Sequence, residues 1–386
     1  MTNKVAVVGI GATQFRSISP DVSYKELMFE AAVKAYEDAG IDPRRDVDTF
    51  VTCAEDYHEG TSIFDEYVPD QLGAALKQMH TISGEGLHGI AAAWLQIMTG
   101  EFDVAVVEAH SKASNILTPD GVAVCAQDPV FNRPLGLNNI FIAGLEMNLF
   151  LQRSGLSREH CAAVVKKNRA NALANPLAGR AARLSDDDFR SSPMVAFPLS
   201  ELDIAQPVDG AVVVVLASEA WLRKRYSNGA KPVFLSGVGW CNGSFSLESR
   251  NWERQDFVTK AADMAYRHAG IQCPAKEIDF AEVDDTYSYK ELQHLVELRL
   301  VGEGELRGWI ESGRTELKGN LPVNSSGGAL GMGYLYEATG LARFYWAVQE
   351  LRGACGKNQL PNPRTALVHA WRGLPTTSVA VAILTV

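Results

Sequence analysis

Little in this sequence favours a charged polymer or a membrane as partner. Its 386 residues carry 36 lysines and arginines against 46 acidic groups, a formal net charge of −10. No basic stripe is available to displace counterions from phosphate, which excludes nucleic acid as the expected partner. No apolar run approaches the roughly 18 residues that a membrane-spanning helix needs. The first residues lead straight into a strand pattern, without the charged and apolar regions of a secretory leader. A cytoplasmic protein with no membrane contact is therefore expected. The six cysteines, Cys53, Cys125, Cys161, Cys241, Cys273 and Cys355, form neither a CxxC pair nor a Cys/His cluster. That spacing points to reduced, mostly buried thiols and to no metal held by this chain.

What is present is an ordinary globular composition, 46% hydrophobic and 21% charged, over a length that suggests two or three structural units. An apolar run at 5–10 reads as a buried strand, and 24–39 as a helix closed by Gly40. Further strands are expected at 50–53 and 102–107, a helix at 65–78, and a polar turn at 80–86 feeding an apolar helix that ends at Gly100. Residues 111–200 alternate turns with short helices, including one at 160–174, and read as a loop-rich excursion that serves as a lid or a dimer contact. The chain returns to the sheet at 211–216. Strand alternating with helix predicts an α/β fold.

The order of elements then starts again. Ala31, Ala32, Ala35, Tyr36, Ala39, Gly40 and Ile41 have identical counterparts 230 positions later in Ala261, Ala262, Ala265, Tyr266, Ala269, Gly270 and Ile271. Both copies continue through a proline and an aspartate into a strand, which marks a duplication. The expected units are 1–110 with 201–230, the 111–200 excursion, and 231–386. Sites in α/β folds lie where strand ends meet helix N-termini, so one composite cleft between the halves is predicted.

The densest glycine-rich stretch is LPVNSSGGALGMGYLYEATG, Leu321 to Gly340. Glycines at that density let backbone N–H groups approach an anionic ligand, and a helix N-terminus after them favours negative charge. A glycine-rich hairpin between two core elements is an equally good reading.

Several long segments together resemble the thiolase superfamily, in the branch of sterol carrier protein x and the archaeal and bacterial thiolase-like proteins. They are VAVVGIGATQF from Val5, SGEGLHGIAAAWLQIMTGEFDVAVVEAHSK from Ser83, FPLSELDIAQPVDGAVVVVLASE from Phe197, DFAEVDDTYSYKEL from Asp279, the stretch from Gly319 to Gly353, and HAWRGLPTTSVAVAIL from His369. The resemblance covers nearly the whole chain. It implies a duplicated thiolase fold of five layers, α-β-α-β-α, with a loop-rich insertion in the first half, and a homodimer. It also implies a coenzyme A thioester as substrate, and a small zinc-ribbon and OB-fold partner protein that would carry any zinc.

The catalytic positions depart from the resemblance. The thiolase cysteine position falls at Ser83, or at Thr81 on a different register. The activating histidine of a Gly-His-Pro turn matches Tyr334 in Gly333-Tyr334-Leu335. The second-half strand-end histidine or asparagine matches Asp284, and the Cys-x-Gly segment matches 370–374, which contains Gly373 and no thiol. A serine hydroxyl is not ionised at neutral pH and needs an adjacent base, which this sequence does not place beside Ser83. Cys125 either enters the site from the excursion or is a structural thiol.

The remaining groups suit acid/base chemistry without a covalent intermediate. The candidates are Ser83, Glu85, Asp284, Tyr287, Tyr334 and His369, with Asn324, Gly328, Gly333 and Gly373 to hold the CoA thioester. Asp284 and Asp285 serve equally well as caps for a helix starting near Ser288, and His88 reads as packing. The expected activity is thiolytic or retro-aldol cleavage, or formation, of the carbon–carbon bond beta to a CoA thioester, with room for a bulky or aromatic acyl group. The alternative is a non-catalytic acyl-CoA-binding subunit of a multienzyme complex.

Overall fold

In the computed structural model, residues 4–55, 58, 63–225, 232–244, 246–373 and 377–386 are described. The first half runs β1 (Val5–Ala12), α1 (Tyr24–Ala39), β2 (Thr49–Cys53), β3 (Gln78–Ile82), α2 (Gly86–Met98) and β4 (Val104–Lys112). It then makes an excursion through α3 (Asn139–Ser154), α4 (Arg158–Asn171), β5 (Met194–Ala196) and β6 (Leu199–Ser200), and closes with β7 (Asp209–Ser218). The second half repeats the order as β8 (Val233–Asn242), α5 (Asp256–Ala269), β9 (Phe280–Glu282), α6 (Ser288–Glu297), α7 (Gly328–Met332), α8 (Thr339–Arg352), β10 (Thr365–Arg372) and β11 (Ser378–Thr385). Shorter helical turns are left unlabelled.

The strands form one sheet in the order β3-β2-β4-β7-β1-β8-β11-β10-β9. The two halves join where the start of β1 pairs with the start of β8, at Val5–Leu235 and Val7–Val233. Within each half the strands that carry the site run parallel: β2 lies between β3 and β4, and β9 pairs with β10. The central helices α2 and α8 pack between the halves, against β2, β4 and β10 as well as against β1, β7, β8 and β11. One core fills that middle layer, a second lies under α1, and a third lies under α5 and the excursion helices. The result is the five-layered α-β-α-β-α arrangement.

The duplication is visible at atomic contacts. A Cβ at Gly9 would stand 2.3 Å from the Ala35 carbonyl, and one at Gly237 would stand 2.2 Å from the Ala265 carbonyl. Gly11 and Ala31 have the same relationship as Gly239 and Ala261, at 2.1 and 2.0 Å. In each half a glycine-bearing strand lets an alanine-bearing helix press backbone on backbone, and any side chain there would overlap.

The expected helix over 65–78 is corrected. The segment breaks into a 3-10 turn at Phe64–Glu66, one helical turn at Pro69–Leu72 and the edge strand β3. Pro69 starts the helical turn, and Gly73, with φ of 73°, ends it, so two punctuating residues leave no room for more. The thiols also differ from expectation: Cys53, Cys161 and Cys355 are buried, whereas Cys125 and Cys273 are exposed.

Candidate active site

The C-terminal ends of β2, β3, β9 and β10 and the N-termini of α2 and α8 face one another at the seam between the halves. Glu85 marks its centre. It caps α2, one carboxylate oxygen accepting the Leu87 N–H at 2.8 Å. Its other oxygen accepts the N–H of Gly340 at the start of α8. Two helix N-termini from opposite halves therefore share one buried carboxyl group. Burial pushes that group up to about 7, against the pull of those N–H donors and of Arg343.

Asp284 and Asp285 follow β9, and Arg343 of α8 binds both, Nη1 at 2.7 Å from Asp284 and Nη2 at 3.0 Å from Asp285. Asp285 also accepts the N–H groups of Ala329 and Leu330 and the Asn168 amide. It therefore caps α7, while neither aspartate caps α6, whose N-cap position is Tyr287 with no side-chain capping bond. Burial pushes Asp285 up to about 6 despite Arg343. Arg343 is fully buried, and its pairing with two aspartates far away in sequence was not apparent from the residues alone.

Tyr334 follows α7 with its ring 4.9 Å from that of Tyr336. Burial raises its phenol well above the usual tyrosine range; Arg372 opposes this, while the charges of Glu337 and Asp284 add to it. Its phenol is therefore neutral at physiological pH. Tyr336 adopts a left-handed φ of 48°, a conformation that costs energy in a bulky residue. His58 packs edge-on against its ring at 4.7 Å, and Nδ1 of His58 lies 2.8 Å from Glu337. The Arg372 guanidinium contacts Glu55 and lies 3.6 Å from Glu337. Sequence reasoning missed Glu55, His58, Glu337 and Arg372, because only folding brings them together.

Ligand atoms of Glu55, His58 and Glu337 lie within 4.8 Å of one another, a spacing compatible with a metal ion. Arg372 already supplies a cation to both carboxylates, so among the described residues the group reads as an internal ion network.

Ser83 is exposed at the turn before α2, with Thr81 bonded to the Asp65 N–H at 2.8 Å behind it. His88, one turn into α2, has no well-formed hydrogen bond at either ring nitrogen among the described residues. Burial and the Arg372 charge push its imidazole down to about 4, against the pull of the Glu85 carbonyl, so it is neutral. Cys53 lies behind this turn, 4.0 Å from the Gly86 carbonyl. Burial and the Glu108 charge hold its thiol well above the ordinary range, which leaves it inert as a nucleophile. Cys125 is exposed at the end of the helix Pro119–Cys125, its thiol 3.6 Å from the Gly121 carbonyl.

Tyr287 is buried with its ring 6.4 Å from that of Trp371, and His369 lies fully buried in β10 beneath them. In the glycine-rich stretch, Asn324 is fully buried with φ of 55°. Its amide accepts from the Val283 N–H at 2.8 Å and donates to Glu291 at 2.7 Å. The Gly328 N–H donates to Ser326 and the Gly333 N–H to the Ala329 carbonyl. A Cβ at Gly328 would strike the Asp285 carboxylate at 2.1 Å, and one at Gly333 would strike Val208 at 2.5 Å. This stretch thus braces the cleft from beneath, with its own amides already bonded. Gly373 lies at the cleft end of β10, against the Trp371 ring.

This duplicated architecture is the thiolase fold, and residues 243–386 match the family described as Thiolase C-terminal domain-like. The relatives include an acyltransferase and a lyase. An acetyl-CoA acetyltransferase of Methanothermobacter thermautotrophicus is 27% identical over 95% of both chains. A 17-hydroxy-3-oxo-4-pregnene-20-carboxyl-CoA lyase of Mycobacterium tuberculosis is also 27% identical, over 98% of this chain and 99% of its own. Among solved structures, the Ltp2-ChsH2(DUF35) aldolase superposes with a TM-score of 0.84 at 25% identity, covering 99% of this chain and 97% of that one. Among the described residues no helix is long and apolar enough to cross a membrane.

Proposed function

We propose that this protein is a thiolase-fold lyase that breaks, or in reverse forms, the carbon–carbon bond beta to a CoA thioester, with tyrosine acid catalysis and no acyl-enzyme. The observation that carries this reading is the neutral, half-buried Tyr334 at the cleft, in company with Ser83 where a thiolate would be needed for thiolysis. The likeness to a CoA-thioester lyase and to the Ltp2-ChsH2(DUF35) aldolase supports it.

In the cleavage direction, the beta-hydroxyl proton passes to the neutral imidazole of His88. The carbon–carbon bond breaks, a carbonyl compound leaves, and the electron pair remains as the thioester enolate. Tyr334 then protonates the enolate carbon, and the proton on His88 returns to the phenolate. The substrate class is a 3-hydroxyacyl-CoA, with Tyr287, Tyr336 and Trp371 as walls for a bulky acyl group. The enzyme works in the cytoplasm with a second copy of itself and a small zinc-ribbon and OB-fold partner.

The test is a panel of 3-hydroxyacyl-CoA and 3-oxoacyl-CoA compounds, with and without free CoA and such a partner. Cleavage of hydroxy substrates without free CoA is expected. Cleavage of oxo substrates only when CoA is supplied would replace this reading with thiolysis, and silence of the reconstituted complex would leave a non-catalytic acyl-CoA-binding subunit.

A further inference from the structure

Two histidines take no part in that scheme, although both are fully buried next to it: His294 on α6 and His369 on β10. Their rings meet edge to face with centroids 4.5 Å apart. Both approach the backbone of one residue, Asp284. The Asp284 N–H donates to Nδ1 of His369 at 3.2 Å, and the Asp284 carbonyl lies 3.4 Å from Nδ1 of His294.

The donor chemistry fixes the protons. A backbone N–H only donates, so Nδ1 of His369 is bare and its proton sits on Nε2. A carbonyl only accepts, so Nδ1 of His294 carries the proton and its Nε2 is bare. Among the described residues neither Nε2 makes a hydrogen bond. Burial drives both imidazoles toward the neutral form, His369 down to about 3 and His294 well below its ordinary value, where the His369 charge and the Lys290 ammonium add to the effect. Two neutral rings of opposite tautomer thus bracket the residue whose carboxylate meets Arg343 and whose charge reaches Tyr334.

We propose that His294 and His369 are positioning residues, a pair of opposite tautomers that clamps the Asp284 peptide between α6 and β10 and so fixes the Asp284 carboxylate in the cleft. The effect on turnover rests on the lyase reading above, whereas the tautomers do not. Nitrogen-15 histidine spectra of the full-length protein at neutral pH, assigned with single variants, should show His294 protonated at Nδ1 and His369 at Nε2, with no titration between about pH 6 and 8. The same tautomer on both rings, or titration of either, would overturn the clamp.

Variants then separate positioning from direct chemistry. Asparagine carries its amide near the Nδ1 position and glutamine near Nε2. H294N and H369N should keep kcat within about threefold, while H294Q, H369Q and the leucine variants lose on the order of 10- to 100-fold in kcat with KM little changed. Glutamine variants that retain activity while asparagine variants lose it would mean that the rings act through Nε2, and the proposal would fall. If no substrate in the panel turns over, the lyase reading fails, and the spectra still decide the clamp.

Discussion

Arg343 holds Asp284 across the seam between a helix and a strand end, Nη1 to carboxylate at 2.7 Å with neither side chain reached by solvent. The same guanidinium spans to Asp285, so one buried cation bridges two buried carboxyl groups. Arg343→Met should therefore cost about 3–5 kcal/mol in chemical unfolding, because it strands carboxylates in a dry site. Arg343→Lys should restore little, since a single ammonium cannot bridge two carboxylates as a planar fork does. A loss under about 1 kcal/mol in the methionine variant would show that the aspartates are held in another way.

Tyr334→Phe tests the acid. It should lower kcat on the best substrate by about 100-fold or more while changing stability by no more than about 1 kcal/mol. His88→Phe should do the same if the imidazole takes the hydroxyl proton. Ser83→Ala should leave kcat within about threefold, as fits an exposed side chain outside the proton path. A Ser83→Ala enzyme as slow as Tyr334→Phe would return the serine to the chemistry.

The duplication makes a paired stability prediction. Gly239→Ala forces a Cβ onto the Ala261 carbonyl, 2.0 Å away, and should destabilise by about 1–3 kcal/mol or more as the α5 helix is pushed off β8. Gly308 lies in the helix Leu306–Glu311, and a Cβ there meets nothing within 4 Å. Gly308→Ala should instead stabilise by about 0.5–1 kcal/mol through helix propensity. Denaturant midpoints of opposite sign relative to the parent would confirm the assignment.

Local patterns were legible because they are written in consecutive residues. The helix α1 ends where Gly40 predicts, with φ of 64°, and the Tyr-x-x-Ala-Gly-Ile repeat located α5 and both outer layers. Edge strand β3 was missed, its residues falling at the end of the expected helix and in the expected polar turn, because they are half-exposed and lack a one-faced apolar alternation. The cleft was only partly readable. Tyr334, Asp284 and Glu85 stood in turns that motif spacing can find, whereas the Glu55–His58–Glu337–Arg372 network joins residues separated by up to 317 positions. Nothing in a linear pattern reports such a contact. The glycine-rich stretch shows a third case: its residues drew attention for a ligand-binding loop, yet Asn324 and Gly328 are spent on bracing Val283, Glu291 and Ser326.

Glu85 gives the protein a pH dependence whose sign follows from its burial. Its carboxyl rises from 4.5 to about 7 in the folded chain, so folding favours the protonated form. The resulting stabilisation is fully present below about pH 4.5 and is lost as pH rises through about 7. At roughly 1.4 kcal/mol per pH unit, the position contributes a decline of about 3 kcal/mol. Glu282 is likewise buried and pushed up to about 7, so the parent protein should lose stability between pH 5 and 8 from more than one group. Glu85→Gln cannot ionise. It should be less stable than the parent at pH 5, where one of the two acceptor oxygens is replaced by an amide, and the gap should narrow by about 3 kcal/mol by pH 8. Unfolding curves at both pH values measure this directly. Parallel pH profiles for parent and variant would mean that Glu85 is ionised throughout, with the two helix N-termini of α2 and α8 outweighing its burial.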